Sequence, residues 1–86
     1  MNNIEVGRVV VSTAGRDKGE LLLIAEICGD GYVMLLDGAS RKIANPKKKK
    51  IKHLKATEVL LEELADKIRT GRILDADVKK ALRALK

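Results

Sequence analysis

The stretch RKIANPKKKKIKHLK, residues 41–55, carries eight cations and no carboxylate. They are Arg41, Lys42, Lys47, Lys48, Lys49, Lys50, Lys52 and Lys55, and the remainder of the chain is slightly acidic against a net charge of +6. The chemistry such a cluster offers is neutralisation of a dense row of phosphates, with release of the counterions condensed on them. Four to six such contacts on a duplex would give log K against log [salt] a slope of about −4 to −5. A solvated charge run is the commoner fate of lysines. Here, however, Pro46 fences the run, and Ile51 and Leu54 call for burial, which holds the cations on a fixed surface. The clustering favours a polyanion-binding face. As surface groups, Lys47–Lys50 are expected to be replaceable together by Ser or Gln with little effect on thermal stability.

A second basic element is GRDKGE, residues 15–20, where Gly15 and Gly19 bracket Arg16 and Lys18. The glycines permit positive φ or close backbone approach to a ligand. The segment lacks the length and the terminal Lys-Ser/Thr of a phosphate-binding P-loop. His53 and Cys28 are the only residues of their types. That leaves no zinc ligand set, no CxxC pair and no nucleophile matched to a base. The sequence predicts no enzyme, no cofactor and no metal, with Cys28 a small buried apolar residue. Tyr32 is the sole aromatic. Stacking platforms for unpaired bases need several, so the expected ligand is structured RNA held through phosphate and shape. DNA stays open on charge alone.

These groups must be positioned by short elements. IEVGRVVVS (4–12), ELLLIAEIC (20–28) and YVMLLD (32–37) are β-branched or apolar runs bounded by glycines and read as strands. The GDG at 29–31 predicts a hairpin between the last two. A further short strand is expected at 41–44, and KKKKIKHL supplies a last, edge-like strand on which lysines discourage further pairing. From residue 57 the pattern becomes helical: Thr57 as N-cap of a helix over 58–70, Gly71 ending it, and Asp75 as N-cap of a second over 76–85. Both are amphipathic and too short to stand alone. Core packing is the default role for their apolar faces, with Arg69, Arg72, Lys79, Lys80 and Arg83 an alternative second RNA contact. The expected organisation is a small, strongly bent antiparallel barrel at 1–56 and a helical hairpin at 57–86, packed on the barrel or on a partner.

VGRVVVSTAGRDKGELLLIAEI, residues 6–27, resembles the KOW motif, with Gly7, Val9, Val11, Gly15, Lys18 and Gly19 as the matching positions. Leu21 and Leu22 stand where many KOW sequences have another glycine. MLLDGASRKIANPKKKKIKHLKAT resembles the segment that follows this motif in eukaryotic- and archaeal-type large-subunit ribosomal proteins. The resemblance covers about residues 4–57. It implies an SH3-like barrel and binding of structured RNA, ribosomal RNA included, through Arg16, Lys18 and the 41–55 cations. KOW barrels also serve as protein-interaction modules in transcription and translation, and that is the alternative reading. The N-terminus, MNNIEVGR, lacks the features of a secretory signal. The longest apolar run, residues 21–25, falls far short of the ~20 residues of a membrane helix. A cytoplasmic protein without a membrane partner is expected.

Overall fold

The computed structural model describes residues 3–86. Five strands, β1 (Arg8–Ser12), β2 (Leu21–Ile27), β3 (Tyr32–Leu36), β4 (Lys47–Lys50) and β5 (Leu54–Leu60), form one antiparallel sheet in the order β4-β3-β2-β1-β5. A 3-10 turn, Ile51–His53, joins β4 to β5, and helices α1 (Glu62–Arg69) and α2 (Asp75–Arg83) follow.

The connection from β4 to β5 dictates the shape. These strands occupy opposite edges of the sheet, which laid flat would stand roughly 19 Å apart across four inter-strand gaps. A three-residue link reaches at most about 14 Å between its flanking Cα atoms. The sheet must therefore curl until its edges approach, giving the bent barrel expected from the sequence. Register shifts between Arg8 and Val10 in β1 and between Ile24 and Glu26 in β2 supply local bends. The GDG hairpin forms as expected, closed by Cys28 N–H donating to Tyr32 O at 2.9 Å.

Curling gives the sheet two buried faces. Val10, Leu22, Ile24, Val33 and Leu35 fill the barrel interior, with Ile4, Ile51, Leu54 and Ala56 packed against them. Val9, Leu23 and Leu36 point the other way, onto Leu64 of α1 and Val78 and Leu82 of α2. This explains the uninterrupted LLLI of β2: alternate side chains face different cores, so neither set is polar. Ile51 and Leu54 do take the anchoring positions expected of them.

Four local expectations are corrected. Residues 54–60 are strand, not the start of a helix, so the 56/57 boundary falls inside β5 and α1 begins at Glu62. Thr57 does not cap a helix: its hydroxyl donates to Val9 O at 2.7 Å and accepts from Val59 N–H, tying β5 to β1. Without that pairing β1 would be an open edge, and the pairing outweighs the helical spacing of the local sequence. The strand expected at 41–44 is a turn with one isolated bridge, Lys42 to Asn45. In α2, Asp75 is the first helical residue rather than the cap, and its Oδ1 accepts from Ile43 N–H at 2.8 Å.

Two glycines let the helices close on the sheet. Gly7 has φ +93°, and a Cβ there would lie 2.7 Å from Ala65 Cβ. Gly38 has φ +79°, and a Cβ would lie 2.4 Å from Asp75 O and 2.6 Å from Lys79 N. Each is a backbone-on-helix contact that no other residue permits. Among the described residues no helix is long and apolar enough to cross a membrane.

Candidate nucleic-acid interface

β4 is an edge strand of four lysines, and period two sends them in opposite directions. Lys48 lies across from Met34 and Lys50 across from Tyr32. Both side chains stand on the outer face over the Tyr32 ring, with Nζ at 4.9 Å and 5.9 Å from its centroid. At such separations a ring attracts an ammonium by about 0.5–1 kcal/mol when exposed. Half-buried Tyr32 therefore acts as a floor that biases where the two cations sit. Lys48 also faces Asp30 at 3.6 Å, a solvent-exposed pair too weak to withhold the lysine from a phosphate.

Lys47 and Lys49 turn to the inner side, across from Leu35 and Val33. Lys47 is half-buried. Lys49 runs into the first loop, where its ammonium donates to Asp17 Oδ1 at 2.6 Å, Ser12 Oγ at 2.7 Å and Ala14 O at 2.7 Å. Three protons meet three acceptors, so nothing remains to offer a ligand. Ser12 in turn donates to Asp17 Oδ1 at 2.7 Å. The pair is shielded, with side-chain exposures of 10% for Lys49 and 9% for Asp17. Burial pushes the Asp17 carboxyl up. Hydrogen bonds from Lys49 and Ser12, and the Lys49 charge, outweigh it and hold the group below its ordinary value. Lys49 is thus a buried clasp, and replacing all four β4 lysines would remove it.

The clasp bears on the other basic element. Residues 13–20 leave β1 and re-enter β2 through Gly19 N–H to Ser12 O (2.7 Å) and Ser12 N–H to Glu20 O (3.0 Å). Gly15 and Gly19 both take positive φ, +87° and +90°. Space beside Gly19 is open, while Gly15 abuts the Lys49 ammonium. The loop is thereby pinned to β4 with Arg16 and Lys18 exposed. The structure thus joins Arg16, Lys18, Lys48 and Lys50 to one end of the barrel, with Lys52 exposed on the 3-10 turn beside them. Three cations sit elsewhere. Lys55 is on the outer face of β5 across from Val11. Arg41 and Lys42 belong to the 37–45 turn, where Asp37 accepts from Ala39 N–H, Arg41 N–H and the Ser40 hydroxyl. Burial raises that carboxyl, but these bonds and the Arg41 charge carry it below its usual range.

Sequence reasoning missed Ser12 and Asp17 as the loop's anchor. A signal was present: an acid inside an otherwise basic loop, and alternation along KKKK that must turn two lysines inward. Cys28 is half-buried rather than buried, at the hairpin entrance. His53 lies in the 3-10 turn, where its carbonyl accepts from Thr13 N–H. Among the described residues no three His, Cys, Asp or Glu side chains gather as a metal site.

No family model matches the chain. It is 39% identical over 87 aligned positions to the large ribosomal subunit protein eL14 of Hyperthermus butylicus, an alignment covering 95% of this chain and 78% of that protein. To eL14 of Methanococcus maripaludis it is 35% identical over 78 positions, covering 88% of this chain and 95% of the relative. To eL14 of Desulfurococcus amylolyticus it is 38% identical over 58 positions, and there it spans 60% of the relative's length. The ribosomal side of the KOW resemblance is the one these relatives carry, and the chain belongs to the eL14 family of large-subunit ribosomal proteins.

Proposed function

We propose that this chain is a non-enzymatic, cytoplasmic component of the large ribosomal subunit that holds folded ribosomal RNA by its phosphates. The observation that carries this reading is the arrangement at β4: Lys48 and Lys50 project from an edge strand over Tyr32, and the same strand clasps the loop bearing Arg16 and Lys18. Fixed cations of one sign on a rigid edge suit a backbone of regularly spaced anions, because little side-chain and loop entropy remains to be lost on binding. Arg16, Lys18, Lys48, Lys50 and Lys52, all exposed, make the primary contacts. The open space beside Gly19 admits a close backbone. Arg41, Lys42 and Lys55 contribute longer-range field from flanking positions, and Lys49 acts by holding the loop. With one aromatic in the chain, already beneath two ammonium groups, base stacking is not the mode.

Cross-linking in cells, followed by sequencing of the attached RNA, tests this. Large-subunit ribosomal RNA is expected at the cross-linked sites, and the chain is expected to sediment with large subunits. Cross-links only to other RNAs, or sedimentation free of subunits, would overturn it.

A further inference from the structure

We propose that α2 and the turn after it carry a second phosphate-contacting surface, formed by Lys79, Lys80, Arg83 and Lys86, at the opposite end of β3 from Tyr32. This inference rests on the RNA-binding reading above and extends it to a second segment of backbone. α2 packs its apolar side, Val78 and Leu82, onto Val9, Leu23 and Leu36, which turns its cations outward. Lys79, Arg83 and Lys86 line an open cavity of about 310 Å³ between the helix, the start of β2 and the 37–40 turn. Gly38 makes this possible: lacking a Cβ, it lets the backbone and Cβ of Lys79 settle against the turn.

The bland explanation for cations late in a helix is that they complement its dipole. Two comparisons favour a ligand. The cations of α1 are neutralised within the fold, Lys67 by Asp77 at 3.4 Å and Arg69 by Asp66. Among the described residues, none of the four side chains at 79, 80, 83 and 86 has an ion-pair or hydrogen-bond partner, although two carboxylates line the same cavity. Asp37 is one of them, and its oxygens are taken by Ala39, Ser40 and Arg41. Glu20 is the other; it is exposed and opposes an anion there. Lys79 and Arg83 share a helix face at i and i+4, and Lys86, in the turn that follows α2, lines the same cavity, so the three form a row that can follow consecutive phosphates.

The test is filter binding of in vitro transcribed large-subunit ribosomal RNA to the full chain across a salt series. K79Q/R83Q/K86Q is expected to flatten the log K against log [salt] slope by about 2–3, additively with K48Q/K50Q. Glu20→Gln is expected to tighten binding. A second measurement uses the unaltered protein: bound RNA should shield Lys79, Lys80 and Lys86 from acetylation read by mass spectrometry. An unchanged slope, or full acetylation of these lysines while Lys48 and Lys50 are shielded, overturns the α2 surface and leaves the β4 reading standing. Absence of RNA binding by the unaltered chain overturns both.

Discussion

Lys49 and Lys48 are neighbours of the same type with opposite duties. Lys48 is free to move toward a ligand over Tyr32, whereas Lys49 spends all three protons inside the protein on Asp17, Ser12 and Ala14. Removing one partner of a shielded pair strands the other's charge, at a cost of about 3–5 kcal/mol. Lys49→Met is therefore expected to lower the thermal midpoint by many degrees and loosen the first loop, whereas Lys48→Gln leaves the midpoint nearly unchanged. Calorimetry of the two variants checks this. The pH dependence has a definite sign. Asp17 and Asp37 both have folded-state pKa values below their unfolded ones, so their contribution is complete above about pH 4 and is lost as pH falls through the depressed values. Urea titrations should show stability falling on acidification below that point, with a smaller fall in Asp17→Asn. The same carboxylate in Lys49→Met loses its main compensation, and burial should then move its titration upward.

At the scale of elements, the helices are held to the sheet by close backbone approach as much as by side chains. Gly38→Ala demands an atom 2.4 Å from Asp75 O in a backbone conformation that alanine resists, so α2 must shift. We expect a loss of roughly 2–4 kcal/mol, seen as a lower denaturation midpoint, with faster amide exchange in α2 than elsewhere. Much of this level was legible in advance. The glycine-bounded apolar runs gave β1, β2 and β3, and the i, i+3, i+4 spacing gave apolar faces for both helices. ATEVLLEELA contains both a β-branched strand signal at Thr57 and Val59 and a helical one at Leu61, Leu64 and Ala65. Local pattern cannot choose between them; the vacant edge of β1 does, pulling 54–60 into the sheet. The division of KKKK into outward and inward lysines was implicit in strand periodicity, yet only the position of Asp17 across the barrel mouth shows what Lys49 meets. The backbone role of Gly38 was hidden because an Asp-Gly step already reads as an ordinary turn.

The whole molecule is a barrel whose edges are drawn together by a three-residue turn, with a helical pair sealing its outer face. That closure places exposed cations on one rigid end, and it separates the cations that hold the fold from those available to a partner. On the proposed function, the outward lysines at this end hold RNA phosphates. The most direct measurement is the salt dependence of large-subunit ribosomal RNA binding by K48Q/K50Q/K52Q, which keeps Lys49 and its clasp. A folded variant is expected, with greatly weakened binding and a log–log slope shallower by about 2–3 than that of the unaltered chain. A folded variant that binds with the original affinity and slope would contradict it.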